Sequence, residues 1–306
     1  MVIPTRSRWR LLSRALTAVL EQRDVRLEVV VVDDASADET PAKLKAHGDP
    51  RLRLVRNESA LGVSQARNRG VVEAGGEWVA FLDDDDLWSP WKLRVQLDAA
   101  AVAGASYVYG SAAVIDEDGR LVEVERAPDP SQVPQLLLAA NVVPAGASNV
   151  MARTDLVRRV GAFDPKLSQL ADWDLWLRLA AAGRAAACEE VLVAYSLHPQ
   201  NMLVADTQHV FEEFHYLSAK HRKLDGVEFT RWVAYGQRRA GRRLQAARTY
   251  LRGAITYRSM GNLARAAGAV FAERLMRRRR RERSTQGLSA PDWLERYGSV
   301  RGGERA

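Results

Sequence analysis

The chain has 306 residues and a hydrophobic share of 47%, enough for a sizeable core and about two domains. Its single cysteine, Cys188, excludes an internal disulfide, and no signal peptide or apolar run of the ~18 residues needed to span a bilayer is visible, so the site is expected to face the cytoplasm. The formal charge of +7 is uneven: acids gather in the first half and Arg dominates after about Arg231, which points to an anion- or metal-handling domain followed by a basic surface.

Met1-Val2-Ile3-Pro4 reads as the tail of a first strand, followed by the polar turn Thr5-Arg6-Ser7-Arg8. Apolar residues at Leu11, Leu12, Ala15, Leu16, Val19 and Leu20 predict a helix over 9–22. Leu27 to Val32 predicts a buried strand that ends in Asp33-Asp34-Ala35-Ser36, and a helix follows over 39–46. Alternating residues over 51–56 predict an edge strand, and a loop then leads into a helix over 63–74 that carries Ala66-Arg67-Asn68-Arg69-Gly70. This succession is a βα pattern. It contains neither a GxGxxG nor a GxxxxGK[ST] phosphate loop.

Trp78-Val79-Ala80-Phe81-Leu82 is short, aromatic and β-branched, and predicts another buried strand. Asp83-Asp84-Asp85-Asp86 follows directly, and Ser89-Pro90 opens a helix over 91–103. The acids thus stand at the carboxyl end of a strand, where open α/β sheets bind ligands. Four adjacent like charges repel, and a divalent cation would remove the repulsion; carboxylate oxygens suit Mg²⁺ or Mn²⁺. The plain alternative is a solvated acidic turn that caps the next helix.

Further on, a strand over 105–115, a hairpin turn at Asp116-Glu117-Asp118-Gly119 and a strand over 121–124 are expected, then a short helix within 131–140. Ser148 to Met151 reads as a strand that enters a helix near Arg153. Ala171 to Leu179 opens a helix with Asp172 and Asp174 in its first turn, where the dipole favours negative charge; locally, either acid could be there simply to cap it. Residues 190–196 predict one more strand, with Cys188 just before it as a small core residue.

Several stretches together resemble the nucleotide-sugar glycosyltransferases of family 2, with the GT-A fold. They are Val2-Ile3-Pro4-Thr5-Arg6, Val31-Val32-Asp33-Asp34-Ala35-Ser36, Ala66-Arg67-Asn68-Arg69-Gly70, Phe81-Leu82-Asp83-Asp84-Asp85-Asp86, Gly161-Ala162-Phe163-Asp164, Asp172-Trp173-Asp174-Leu175-Trp176 and His198-Pro199-Gln200-Asn201. The resemblance covers roughly residues 1–203 and implies an α/β fold: a Rossmann-like, mostly parallel central sheet flanked by helices, with a C-terminal α-helical extension. It implies that Pro4, Thr5, Arg6, Asp33, Asp34, Arg67 and Asn68 bind the donor, with Asp34 on the base. Asp83-Asp84-Asp85 matches the DXD motif: Asp85 is implied as the direct ligand of Mn²⁺ or Mg²⁺, with Asp83 or Asp84 on the ribose or the metal's waters, and His198 as a further metal or diphosphate contact. Asp172 matches the general base of an inverting transfer to a hydroxyl acceptor, and Asp174 is the fallback.

The family usually has Glu-Asp before this helix, and Ala171 stands in place of the Glu. That departure leaves open a nucleotide-sugar-binding protein without turnover. A nucleotidyltransferase also uses carboxylate-bound Mg²⁺ but needs a glycine-rich basic loop after its first strand, which Pro4-Thr5-Arg6-Ser7 is not. The implied partners are a nucleotide-sugar and a glycan or lipid-linked acceptor.

A helical extension is expected over 204–276, with helices over 210–220 and 229–276 and a hairpin around Ser259-Met260-Gly261, then a basic, partly disordered tail over 277–306 that begins with Arg277 to Arg281. Such a tail suits peripheral docking on an anionic membrane on the cytoplasmic side. Nucleic acid is not expected, because aromatics are not interleaved with the arginines.

Overall fold

A computed structural model describes residues 1–197, 207–222, 224–271 and 290–297. The described residues fall into two compact units: 1–134, 143–196 and 290–297 form the first, and 135–142 with 197, 207–222 and 224–271 form the second.

In the first unit, β1 (Val2–Thr5), β2 (Val29–Asp33) and β3 (Leu52–Arg56) form a parallel sheet in that order. β1 and β2 are wholly buried, as their unbroken apolar runs require, whereas β3 alternates and lies at the edge. The helices α1 (Trp9–Leu20), α2 (Thr40–Ala46) and α3 (Val63–Glu73) follow their strands as the periodicity predicts. α3 rides close on β1: a Cβ on Gly70 would lie 2.2 Å from a Val2 methyl, so the close of Arg67-Asn68-Arg69-Gly70 is a packing requirement.

The second sheet runs β4 (Trp78–Ala80), β8 (Met151–Arg153), β6 (Tyr107–Ile115), β9 (Ala185–Ser196), β5 (Leu87–Trp88), with β7 (Leu121–Glu125) beside β6. Here β6–β9 is parallel, while β4–β8, β5–β9, β6–β7 and β6–β8 are antiparallel. The expected GT-A architecture holds, with a mixed rather than mostly parallel sheet. The sheets meet where Phe81 bridges Val2 in parallel and the Leu82 N–H donates to the Val2 carbonyl at 3.1 Å. The ends of β1, β2 and β4 therefore line up, and they carry Thr5, Asp33-Asp34 and Asp83.

The helices α4 (Lys92–Ala103), α5 (Val133–Leu136), α6 (Thr154–Arg159) and α7 (Ala171–Ala182) complete the expected set. Two local expectations change. Ser148-Asn149 is not strand but the end of a 3-10 turn over Gly146–Asn149, entered through Ala145 and Gly146, both at positive φ. β9 starts five residues before the expected 190 because Ala185 to Cys188 pair with Tyr107 to Gly110. Residues 290–297 belong to this unit: in a 3-10 turn over Asp292–Tyr297, Trp293 packs with Leu87 and Ile115 and donates to the Val191 carbonyl at 3.0 Å.

The second unit is helical, with α8 (Thr207–His221), α9 (Gly226–Arg239), α10 (Arg243–Thr256) and α11 (Met260–Phe271). Asp225 caps α9 by accepting from the Val227 and Glu228 N–H groups at 2.8 and 3.1 Å. Stacked Phe214 and Phe229, with Phe211 at their edge, join α8 to α9.

Candidate active site

The acidic stretch is a turn in which every carboxylate has a different environment. Asp83 pairs with the buried guanidinium of Arg67 and keeps about a third of its side chain exposed. Asp84 is buried and accepts from the Thr5 hydroxyl at 2.6 Å and from Arg8 Nη1 at 3.1 Å. Asp85 takes the same Arg8 nitrogen at 3.1 Å. Asp86 is almost wholly buried and accepts from the Ser148 hydroxyl at 2.6 Å and the Ser196 N–H at 3.0 Å. At the start of α4 the Leu93 N–H donates to Gln22 Oε1 at 3.0 Å and the Trp91 N–H to Ser89 Oγ at 3.4 Å.

Burial, and then the charge of Asp85, push the Asp84 carboxyl up to about 7, against the pull of Arg8 and the Thr5 hydroxyl. Burial followed by Asp85 and Asp83 raises Asp86 well above the usual carboxylate range. Burial also pulls at the Arg8 guanidinium, but Asp84 and Asp85 outweigh it and hold its pKa above the ordinary value. One cationic group thus sits between two carboxylates that would otherwise repel. The donor set of hard oxygens fits a divalent ion. Among the described residues no three His, Cys, Asp or Glu side chains surround one point, so such an ion would take one or two carboxylates here and further oxygens from a bound diphosphate and water.

Asp172 stands in the first turn of α7, and its Oδ1 accepts from the Trp173 N–H at 2.7 Å. Its Oδ2 occupies the space beside Gly146, only 2.5 Å from where a Cβ on that glycine would be. The same 3-10 turn carries Ser148, whose hydroxyl receives the Asp83 N–H at 3.0 Å and donates to Asp86. A single four-residue turn therefore abuts the acidic stretch on one side and Asp172 on the other. Trp88 Nε1 and Gln96 Nε2 hold this turn through the Ser148 and Asn149 carbonyls, both at 2.7 Å.

The other expected residues separate into two groups. Thr5, at the end of β1, donates to Asp84 in the acidic turn, while Arg6 next to it is exposed. Asp33 is buried, accepts from the Ser36 N–H at 2.9 Å and lies 3.6 Å from Arg56. Asp34 accepts from Asn57 at 2.7 Å and from the N–H groups of Leu61 and Gly62 at 2.9 and 2.8 Å, so it anchors the loop entering α3. Asn68 is clamped to the Phe163 backbone, donating to its carbonyl at 2.7 Å and accepting from its N–H at 2.8 Å. Phe163 also packs edge-on against Phe81 and under Arg67. Asp174 is buried against Arg178, which reaches the Val160 and Ala162 carbonyls at 2.6 Å. Asn68 and Asp174 thus fasten the 160–163 turn. His198 lies outside the described residues.

Sequence reasoning placed Arg8 only in a polar turn and gave Ser148 and Gly146 no role. The available signal for Arg8 was charge balance: a cation at the end of β1 facing acids at the end of a neighbouring strand. A cavity of ≈ 1040 Å³ elsewhere in this unit, lined by residues such as Tyr107, Asp129, Cys188 and Glu190, includes none of residues 83–86 or Asp172.

The model of the family described as "Glycosyl transferase family 2" matches residues 1–161. The chain belongs to this family. A succinoglycan biosynthesis protein, ExoO, of Rhizobium meliloti (strain 1021) is 40% identical over 142 residues, 46% of this chain and 40% of that protein. The Escherichia coli enzyme WfgD, a UDP-Glc:alpha-D-GlcNAc-diphosphoundecaprenol beta-1,3-glucosyltransferase, is 33% identical over 118 residues, 39% of this chain and 47% of that enzyme. The matched stretch thus spans less than half the length of either relative. Among solved structures, a Pyrobaculum calidifontis mannosyltransferase in complex with GDP-Man and Mn²⁺ superposes with a TM-score of 0.56 at 20% identity, covering 97% of this chain and 84% of that one. S. aureus TarS in complex with UDP gives 0.53 at 20% identity over 66% and 61%. These two likenesses establish the GT-A fold of this family 2 chain. No helix among its described residues is long and apolar enough to cross a membrane.

Proposed function

We infer that the protein is an inverting glycosyltransferase that moves a sugar from a uridine-diphosphate donor to a hydroxyl acceptor in bacterial surface-polysaccharide or lipid-linked glycan synthesis. The observation that carries this reading is the Gly146–Asn149 turn, which touches the acidic stretch through Ser148 and Asp172 through Gly146. A bound donor diphosphate and an acceptor carboxylate base need that closeness. The names of ExoO and WfgD support the pathway, and the UDP and Mn²⁺ complexes of the structural neighbours support the donor and the ion.

In this reading Asp85 would hold a divalent ion, with Asp83 or Asp84 toward the ribose or the metal's waters. That ion, Mn²⁺ or Mg²⁺, supplies charge stabilisation for the leaving diphosphate. Thr5 and Arg8 orient the acidic turn from the end of β1. Asp34 secures the loop over the base, and Arg67 fixes Asp83. Asp172 takes the proton of the acceptor hydroxyl as its oxygen attacks the anomeric carbon. A peripheral membrane contact through the basic run from Arg277 to Arg283 belongs to the same reading; that run lies outside the described residues.

The purified protein incubated with a panel of nucleotide-sugars tests the reading: slow release of UDP from at least one, dependent on Mn²⁺ or Mg²⁺ and lost in Asp85→Ala together with UDP binding, is the expected result. Ala171, where the family usually has Glu, favours a second reading, a protein that binds the donor without turning it over. UDP binding with no turnover of any donor would select that reading.

A further inference from the structure

The second unit carries an exposed apolar surface, none of whose residues belongs to the candidate site. In α10 the side chains facing the neighbouring helices are small or polar: Ala246, Thr249 and Gly253 are buried along with Tyr250. A Cβ on Gly253 would lie 2.3 Å from the Thr230 methyl of α9, so this face must stay small for the helices to approach. The large apolar side chains point the other way. Leu244, Leu251 and Ile255 are 67%, 45% and 73% exposed. Together with exposed Arg248 they occupy positions i, i+7, i+11 and i+4, one narrow stripe of a 3.6-residue helix. α11 repeats the arrangement at the start of the second arm, with Met260 75% and Leu263 44% exposed. This is the reverse of a water-soluble amphipathic helix, and it repeats on both arms of one hairpin. An exposed apolar stripe of this kind marks an interaction surface.

The charge around it identifies the partner. Residues 229–271 hold nine arginines and no Asp, Glu or Lys. A second copy of the same face would bring like charges together. Nucleic acid would need exposed rings to stack on, yet the hairpin's described rings are buried Tyr250 and half-buried Tyr257, and exposed Tyr235 lies on α9 with Arg239 over its ring. Apolar side chains flanked by arginines match an anionic bilayer surface, where the chains enter the headgroup boundary and the guanidinium groups meet phosphate. α10 has 14 residues, about 21 Å of helix, too short to span a bilayer and suited to lying in its surface.

We propose that the α10–α11 hairpin is a monotopic docking element for anionic phospholipid membranes, with Leu244, Leu251, Ile255 and Met260 inserting and Arg248 and Arg258 contacting lipid phosphate. It would hold the chain at the surface where a lipid-linked acceptor resides. The hairpin is distinct from the basic run that starts at Arg277.

Sedimentation of the full chain with vesicles, in the absence of any sugar substrate, tests this. Vesicles of phosphatidylcholine with roughly one-third phosphatidylglycerol are compared with phosphatidylcholine alone. Two double variants, Leu251→Gln/Ile255→Gln and Arg248→Gln/Arg258→Gln, change exposed positions only, and thermal unfolding checks that each is folded. A third variant replaces Arg277 to Arg281 with Gln. The expected result is wild-type pelleting on anionic but not neutral vesicles, reduced at least about fivefold by each hairpin variant with the unfolding midpoint unchanged. Hairpin variants that pellet like the wild type, loss confined to the 277–281 variant, or a wild-type chain that stays in the supernatant while it binds an RNA homopolymer or self-associates would each overturn the proposal. Because no donor is present, a negative result leaves the transferase reading untouched.

Discussion

At the scale of single residues, the site is a problem of charge. Asp84 and Asp85 share one counter-charge, Arg8 Nη1, at 3.1 Å from each. Removing it takes away a positive charge that both carboxylates meet, so Arg8→Ala is expected to lower the thermal stability of the metal-free protein and to raise its affinity for Mn²⁺ at least about tenfold without nucleotide. Titration of free Mn²⁺ by electron paramagnetic resonance checks this; an equal or weaker affinity would show that Arg8 does not compete for that position. Gly146 makes a second case. A Cβ there would collide with Asp172 Oδ2, and its φ of +48° already disfavours a side chain. Gly146→Ala should push the Asp172 carboxylate aside, leaving UDP binding within about twofold by calorimetry while donor turnover falls about a hundredfold. The acids themselves were legible in the sequence because four like charges behind an apolar strand have no packing reason to be there. Arg8 was not, because its partners lie 76 and 77 residues away. Asn68 read as part of a donor-pocket stretch, and its side chain instead clamps Phe163, 95 residues on. A motif shows which residues belong together without saying which of them face the ligand.

At the scale of elements, α4 supports the site from behind. Lys92 is fully buried, and its amine lies 3.9 Å over the Trp88 ring and donates to Gln96 Oε1 at 2.8 Å. Gln96 in turn holds the Asn149 carbonyl, the end of the site's 3-10 turn. Burial drives the Lys92 pKa well below its ordinary value of 10.5. The unfolded chain therefore binds one proton more than the folded chain up to about that pH, so the stability contribution of this lysine rises as pH climbs toward 10.5. Lys92→Met removes the dependence. The stability difference between variant and wild type, from urea unfolding at several pH values, is expected to favour the variant most near neutrality and to shrink on the way to pH 10; a difference constant with pH would contradict the buried neutral amine. The helices and long strands of the first unit were readable because their periodicity is strong, as α1 and β2 show. β5, two residues long, and the Gly146–Asn149 turn were not. Neither has a period, and both exist because tertiary partners, β9 for the one and Trp88 with Gln96 for the other, fix the backbone.

At the scale of the whole molecule, the sequence divides by charge into an acidic front and an arginine-rich back, and the structure divides into an α/β unit and a helical one. The family was legible because its motifs fall in order along the chain. The pairing of 290–297 into the first unit was not, since the contact of Trp293 with Val191 spans 102 residues. We assign the chemistry to the carboxylate at 172 and the hold on the donor to the acidic turn. Calorimetry with UDP and Mn²⁺, paired with turnover of the accepted nucleotide-sugar in Asp172→Asn, tests it most directly. Binding equal to that of the wild type with turnover lowered about a hundredfold or more is the predicted result; turnover at the wild-type rate would contradict the assignment.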